Sequence, residues 1–305
     1  GGVWVSDDGE GVAWRPVSNG LTRRNVYSLA ARCGGGVTLF AGTEPAALYR
    51  SDDLGANWRE LPALRAVPGT EKWTFPPPPH IAHVKCIPLY PRRRGMLYVC
   101  VEQGALLKTE DDGESWTELD GYVRPDDATY RDTHRLELHP AQDGVLFLTT
   151  GLGLNRSGDW GRSWETLTRR GERLGYPDFI AFDARNGQVA LMTGAGAPPQ
   201  SWLKEPHGAN AAVLKSCDGG RSWRELENGL PRPIVGSIEA LGRHDWATGS
   251  SFAFATAIGE VFESDDAGEH WTRIATGLAA VSKAGHFRAF VPRAERPGEG
   301  LAAFA

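Results

Sequence analysis

The stretch "SDDLGANW", residues 51–58, recurs along the chain with the same spacing of a Ser or Thr, an Asp, a Gly and a Trp. The further copies are "TEDDGESW" (109–116), "SGDWGRSW" (157–164), "SCDGGRSW" (216–223), "SDDAGEHW" (264–271) and, with one extra residue, "SDDGEGVAW" (6–14). An Asp side chain that accepts backbone N–H bonds across a turn, followed by a Gly that adopts positive φ, favours a tight β-hairpin. The repeat therefore predicts hairpins at regular intervals.

Two more strand-like runs precede each hairpin, for example "VKCIPLYP" (84–91) and "MLYVCVE" (96–102). Four antiparallel strands, here called a to d, in a repeat of this length are typical of a propeller blade. The Trp residues of successive copies lie 44 to 59 residues apart and count six units. We expect a single all-β domain over residues 1–305, a six-bladed β-propeller closed by N-terminal strands c and d pairing with C-terminal strands a and b.

The motif resembles the Asp-box, or BNR, repeat of sialidases and other β-propellers, and its copies extend over the whole chain. This resemblance implies a functional site on the face opposite the hairpin turns and a structural role for the repeated aspartates, Asp53, Asp111, Asp159, Asp218 and Asp266. A true sialidase is not expected, because the chain has no N-terminal Arg-Ile-Pro motif and its inner strands supply no converging arginines.

The composition narrows the classes of partner. Lys and Arg number 33 against 38 Asp and Glu, a net charge of −5, whereas nucleic-acid binders usually carry a basic surplus. No apolar run reaches the roughly 18 residues of a membrane span, and no signal peptide is visible. We expect a cytoplasmic protein that binds a small molecule rather than nucleic acid or a membrane, with its oligomeric state open. Cys86 and Cys100 are expected to lie opposite each other on neighbouring strands, as buried thiols rather than a disulfide.

Long insertions interrupt the repeat at 65–83, 122–134, 169–178 and 194–212, all on the predicted face opposite the turns. Elongated loops on one face of a repeat protein indicate a site there. Aligning the inner strands puts one polar side chain of each blade at the same level, namely Asn25, Lys85, His134, Asp178, Glu239 and His286. The sequence thus predicts a His/carboxylate pocket at the top of the central channel.

Within this pocket, His134, His286, Asp178 and Glu239 are candidate general acids and bases, and Lys85 is a candidate for stabilising an anion. Candidate substrate-binding residues are Asn25, Glu44, Trp73, His80, Glu102, Arg135 and Trp202. A divalent metal such as zinc is a candidate cofactor, since three histidines with an open position can activate water. Its predicted ligands are His83, His134 and His286, although no sequence spacing supports them.

The residues leave three classes of function open. The first is a hydrolase or lyase acting on a small polar or anionic substrate, with or without a metal. The second is a glycoside hydrolase that uses Glu44 and Glu102, which occupy the same offset before their turns, as paired carboxylates. The third is a non-catalytic propeller that binds a ligand or assembles with a protein.

Overall fold

A computed structural model of the chain describes residues 1–125, 127, 131–202, 208–246, 249–279 and 281, with Glu239 described in its backbone alone. Over these residues the regular structure is almost entirely β, with five four-stranded antiparallel sheets and one two-stranded sheet. One short helix, α1 (Pro199–Trp202), and two 3-10 segments, Pro62–Ala66 and Thr70–Lys72, lie in the insertions. None of the described helices has the length and apolar character needed to cross a membrane.

The chain divides into two compact units, Gly1–Leu136 and Glu137–Ala305, called the first and second units below. The first unit opens with a two-stranded sheet of β1 (Trp4–Val5) and β2 (Arg15–Pro16). Its first blade contains β3 (Asn25–Cys33), β4 (Val37–Glu44), β5 (Ala47–Ser51) and β6 (Arg59–Glu60). Its second blade contains β7 (His83–Cys86), β8 (Leu97–Glu102), β9 (Ala105–Thr109) and β10 (Thr117–Glu118).

The remaining three blades repeat the same order of consecutive strands. The third contains β11 (Thr133–Leu138), which begins in the first unit, β12 (Leu146–Thr150), β13 (Gly153–Ser157) and β14 (Glu165–Thr166). The fourth contains β15 (Tyr176–Phe182), β16 (Ala190–Ala195), β17 (Ala212–Ser216) and β18 (Arg224–Glu225). The fifth contains β19 (Ile238–Asp245), β20 (Ser250–Thr256), β21 (Val261–Ser264) and β22 (Thr272–Ala275).

The prediction of six blades is wrong, because the described residues form five four-stranded blades. The repeated motif counts hairpin turns, whereas a blade requires four strands bonded into one sheet. At the first copy of the motif, β1 and β2 pair only with each other, through Trp4–Pro16 and Val5–Arg15. The predicted partner strands from the C-terminus fall in residues 282–305, which lie outside the described residues.

The turns of the repeat are built as the sequence predicts. After β5, the Asp53 carboxylate accepts hydrogen bonds from the Ser51 hydroxyl and the Asn57 N–H, both at 2.8 Å. The Ser51 hydroxyl in turn accepts the Gly55 N–H at 2.9 Å. The same three bonds surround the other repeated aspartates, Asp111, Asp159, Asp218 and Asp266. These carboxylates therefore satisfy the backbone of their own turns, which agrees with a structural role.

Apolar side chains of neighbouring blades share core clusters within each unit. In the first unit, Phe40 of the first blade belongs to the same buried cluster as Val99 of the second. In the second unit, Leu191 of the fourth blade belongs to the same cluster as Phe252 and Trp271 of the fifth. Neighbouring blades are therefore held together by apolar side chains within each unit.

Candidate functional site

The polar residues that the structure brings together lie at the end of the second blade, around Glu102. Glu102 is the last residue of β8 and is paired across the sheet with His83, the first residue of β7. His83 Nε2 lies 2.9 Å from Glu102 Oε2, and Lys85 Nζ donates to Glu102 Oε1 at 2.7 Å. His134 in β11 and Asp132, the residue just before that strand, approach the same carboxylate. We call these five residues the Glu102 cluster; all five are buried.

The charge of Glu102 is set by its neighbours rather than by its burial. Burial alone would raise the pKa of this carboxyl group, whose side chain is only 1 % exposed. The positive charge of Lys85, the hydrogen bond and charge of His83, and the charge of His134 outweigh burial and hold the Glu102 pKa well below its usual value. Glu102 is therefore an ionised acceptor, and the proton between it and His83 belongs to Nε2.

The solvent-facing side of this arrangement is Glu44, the last residue of β4. Glu44 is paired across the sheet with Asn25, whose amide donates to Glu44 Oε1 at 2.7 Å. Its other oxygen lies 3.7 Å from His83 Nδ1, so the imidazole stands between the two glutamates. The Glu44 side chain is 20 % exposed, in contrast to Glu102. The ring of Tyr27 stacks on His83 with 4.0 Å between ring centroids.

Tyr27 also contacts Glu44 through its hydroxyl. Burial, the negative charge of Glu44 and the hydrogen bond to Glu44 together raise the Tyr27 pKa, so the phenol keeps its proton as a donor. Neither Tyr27 nor Asp132 was among the sequence-predicted site residues. Tyr27 lies two positions after Asn25, and Asp132 lies two positions before His134, which is the only signal that pointed to them.

A β-bulge at the start of the inner strand explains why these side chains converge. The cross-strand register shifts between Val26 and Ser28, between Val84 and Cys86, and again in β15 and β19. The residues that the register skips are Tyr27, Lys85, Asp178 and Glu239. Bulged residues are turned out of the regular alternation, a common device beside active sites. The predicted alignment is therefore off by two residues in the first blade, where His83, not Lys85, is the counterpart of Asn25.

The predicted metal site is brought together only in part. His286 lies outside the described residues, and among the residues described the group of side chains close enough to share an ion is Glu102, Asp132 and His134, with ligand atoms within 4.8 Å of one another. His134 Nε2 lies 3.3 Å from Asp132 Oδ1 and 3.7 Å from Glu102 Oε1. The ammonium of Lys85 already contacts that Glu102 oxygen. The donor atoms thus suit a divalent cation, but a protein cation already neutralises one of them.

A cavity of about 450 Å³ lies at Pro45 and Ala46, the two residues that follow Glu44 in the chain. It is lined by Pro45, Ala46, Arg65, Thr70, Trp73, His80, Ile81 and Ala82, and we call it the Trp73 pocket. The loop that forms this pocket is hydrogen-bonded to the turns that follow Glu44 and Glu102. The Ala46 N–H donates to the Ala82 carbonyl at 2.9 Å, and Thr74 and Gln103 exchange two backbone hydrogen bonds of 3.0 and 2.8 Å.

Trp73 is seated on the turn that follows Glu102. A Cβ atom at Gly104 would lie 2.9 Å from the Trp73 ring, so glycine is required there for close approach of the indole. His80 is exposed and its Nδ1 lies 2.9 Å from the Phe75 carbonyl, which can only accept, so Nδ1 carries the proton. The predicted substrate-binding residues Trp73 and His80 therefore line one pocket in the first unit, and Glu44 directly precedes two of its other lining residues, Pro45 and Ala46.

Two of the other predicted site residues, Asp178 and Trp202, belong to the second unit. Asp178 is buried in β15 of the second unit. Trp202 is 1 % exposed in the apolar core of that unit, because its indole N–H bonds to the Ala197 carbonyl at 2.9 Å and its ring packs inward. Arg135 is half-buried next to His134, but adjacent strand residues point to opposite faces. The Glu239 side chain, like His286, lies outside the described part of the chain.

Comparisons with known proteins find both enzymes and other β-propellers. No protein-family model matches the chain. A probable oligoxyloglucan-reducing end-specific xyloglucanase from Neosartorya fischeri is 22 % identical over 192 residues, which are 61 % of this chain and 23 % of the xyloglucanase. This chain therefore spans about a quarter of the length of that curated relative.

Solved structures with a similar fold include two GH74 enzymes. An ancestral GH74 enzyme superimposes with a TM-score of 0.69 and 17 % identity, over 91 % of this chain and 36 % of that one. The GH74 enzyme of Niastella koreensis gives a TM-score of 0.60 and 19 % identity, over 87 % of this chain and 39 % of that one. PorZ of Porphyromonas gingivalis, a component of a secretion system, gives 0.53 with 15 % identity, over 85 % of this chain and 29 % of that one. The chain is an all-β β-propeller similar to GH74 enzymes and to other propellers.

Proposed function

We propose that this propeller is a glycoside hydrolase-like module that binds an oligosaccharide in the Trp73 pocket and cleaves a glycosidic bond with Glu44 as the acid or base. The observation that carries this proposal is the chain of contacts from a partly exposed carboxylate to a buried ion pair. Glu44 is the partly exposed end, His83 is the link, and Glu102 with Lys85 is the buried end.

The contacts define how a proton is held at Glu44. Because ionised Glu102 accepts from His83 Nε2, the other ring nitrogen, Nδ1, is the one that faces Glu44, at 3.7 Å. Stacking on Tyr27 and edge contact with Phe75 keep the ring in this orientation. A carboxyl group that can take or release a proton at the edge of a cavity is what general acid catalysis of glycoside cleavage requires.

The Trp73 pocket supplies a place for a sugar ring next to Glu44. Pockets of about 300 to 1,000 Å³ with aromatic lining and a few polar groups are typical of small-molecule sites. The indole of Trp73 offers a flat apolar face, Arg65 offers N–H donors, and His80, whose Nδ1 proton goes to the Phe75 carbonyl, offers Nε2 as an acceptor. Similarity to a xyloglucanase supports a xyloglucan oligosaccharide as the class of ligand.

A reading in which Lys85 binds an anionic small molecule has less support. Its ammonium is 5 % exposed and donates to Glu102 at 2.7 Å, so its charge is already balanced inside the Glu102 cluster. The role of Lys85 in this proposal is to keep Glu102 ionised.

A second candidate function is oligosaccharide binding without cleavage. Glycoside hydrolysis ordinarily uses two carboxyl groups on either side of the bond. In the described part of the first unit, Glu44 is 20 % exposed just before the pocket residues Pro45 and Ala46, but Glu102 is enclosed and 1 % exposed. An enclosed Glu102 acts as a positioning residue for His83 and does not reach the sugar. Unless another carboxyl group reaches the sugar, the site has only one, and oligosaccharide binding without cleavage is then the favoured function.

The test measures binding and cleavage separately in the same protein. Xyloglucan oligosaccharides are titrated calorimetrically, and their hydrolysis is followed by the appearance of new reducing ends. Glu44→Gln is expected to lower the hydrolysis rate about 100-fold or more and to leave binding within a factor of a few. Glu114→Gln, an exposed glutamate in the turn after β9, is the matched control and should change neither.

The outcomes separate the two candidates. Binding with no cleavage by the unmodified protein overturns the hydrolase proposal and supports the binding module. Neither binding nor cleavage of these oligosaccharides overturns both.

A further inference from the structure

Two buried cysteines face each other directly below the Glu102 cluster. Cys86, the last residue of β7, is the cross-strand partner of Cys100 in β8. Both are free thiols, and both are buried, with the two side chains hydrogen-bonded to each other. The sequence prediction that they lie opposite each other as buried thiols is thus confirmed.

The pairing suits a covalent bond. Directly paired residues in antiparallel strands have Cα atoms about 4.5 to 5.5 Å apart, and disulfides span about 4.4 to 6.8 Å between Cα atoms. The side chains of paired residues also project from the same face of the sheet. No rearrangement of strand pairing is therefore needed to join the two sulfur atoms.

We propose that Cys86 and Cys100 are a redox-active dithiol that forms a cross-strand disulfide on reaction with a low-molecular-weight disulfide. The thiolate of one cysteine attacks the reagent, forms a mixed disulfide and releases one thiol. The second cysteine then attacks the mixed disulfide, forms the Cys86–Cys100 bond and releases the other thiol. Two protein thiols are oxidised and one reagent disulfide is reduced to two thiols.

The surroundings define the order of attack. Cys86 is 4 % exposed against 0 % for Cys100, and it lies in β7, a four-residue edge strand that pairs with β8 alone in its sheet. Cys100 is fully enclosed in the middle of β8. Cys86 is therefore the entry thiol and Cys100 the resolving thiol, and opening of β7 limits the rate.

The position of the dithiol links it to the site. Cys100 lies two residues before Glu102 and so faces the same side of β8, while Lys85 is the bulged residue just before Cys86. A bond at this rung would tie β7 to β8 next to the His83–Glu102 pair.

The chain offers its own controls for a test. Cys33 and Cys217 are exposed, so Cys33→Ser and Cys217→Ser together leave only the buried pair. This variant is incubated, folded, with oxidised glutathione, then blocked with iodoacetamide and digested with trypsin without reduction. Cleavage at Lys85, Arg92, Arg94 and Lys108 puts the two cysteines in separate peptides, 86–92 and 95–108. A disulfide joins these peptides into one species that dithiothreitol separates.

The expected result is the joined species together with loss of both thiols. Because the bond closes a loop of about 15 residues, the melting temperature of the oxidised protein should rise by roughly 5 °C. Adding Cys86→Ser to this protein should abolish the joined species. If the protein with Cys86→Ser does not fold, the result for Cys33→Ser with Cys217→Ser alone decides whether the disulfide forms. Two thiols that stay free at long times, or a glutathione adduct on Cys86 that Cys100 never displaces, would overturn the proposal.

Discussion

Replacing Glu102 by Gln tests whether the buried charge is what holds the site together. Lys85 is 5 % exposed and lies 2.7 Å from Glu102, so at an effective dielectric constant of about 20 their attraction is about 6 kcal/mol. Gln keeps an oxygen that accepts from Lys85 but loses the charge, leaving a buried ammonium without its counter-ion. Breaking buried pairs in this way costs about 3–5 kcal/mol, which is the expected loss in free energy of unfolding.

The chain contains a matched control for this substitution. Lys215 donates to Glu269 at the same distance of 2.7 Å and is also 5 % exposed, but the Glu269 side chain is 51 % exposed. Water can solvate the charges left after Glu269→Gln, so the expected loss is at most about 1 kcal/mol. The double variant Lys85→Met with Glu102→Gln should recover at least half of the loss, because it removes both charges together.

The same reasoning gives a dependence on pH. The folded-state pKa of Glu102 is held below its unfolded value, so its contribution is complete above the ordinary glutamate pKa of about 4.3 and is lost as the pH falls. The free energy of unfolding of the wild type, measured in urea, should therefore fall more steeply below pH 4.3 than that of Glu102→Gln. Equal losses in Glu102→Gln and Glu269→Gln at pH 7 would refute this account of the cluster.

Two further predictions concern the blades and the metal hypothesis. Gly229 has a φ of +81°, and a Cβ atom there would overlap the Trp271 carbonyl oxygen, whereas Gly277, with a φ of +71°, has open space. In urea, Gly229→Ala should lower the free energy of unfolding by about 2 to 4 kcal/mol and Gly277→Ala by only about 1 kcal/mol. Equal losses would show that the close approach of the Trp271 carbonyl is not the reason for glycine at position 229. Zinc should not raise the melting temperature of the wild type, because Lys85 neutralises Glu102. It should raise the melting temperature of Lys85→Ala, whose Glu102 cluster can accept a cation. Stabilisation of the wild type by zinc would contradict this.

The fold was predictable as far as its physics is local. Each hairpin turn depends on an Asp, a Gly and a Ser or Thr within a few residues, so its sequence pattern is visible without any tertiary contact. The number of complete blades is not local, since it depends on which strands bond to one another across the chain. The first copy of the motif shows this, because β1 and β2 have the turn but form only a two-stranded sheet.

The site was predictable in residue type but not in geometry. Glu44 and Glu102 were identified from their common offset before the turns, and both lie at the end of the second strand of their blades. The bulge that skips Tyr27 and Lys85 has no sequence signature, and it shifted the predicted alignment of the first blade. Trp202 shows a related difficulty, because a Trp on an insertion can either cover a ligand or fill the core, and its surroundings decide which.

The repeated aspartates and the two glutamates differ in what holds their charge. Asp159 accepts hydrogen bonds from the hydroxyl and the N–H of Ser163 and from the hydroxyl of Ser157, which lower its pKa to about 2. All of these donors belong to its own turn, so its bonding is complete wherever the motif occurs. Glu44 instead contacts side chains that come from other strands, and its environment exists only where two blades and an insertion meet. A repeated motif can therefore stabilise each blade alike, whereas a site with its own chemistry requires residues that differ from one blade to the next.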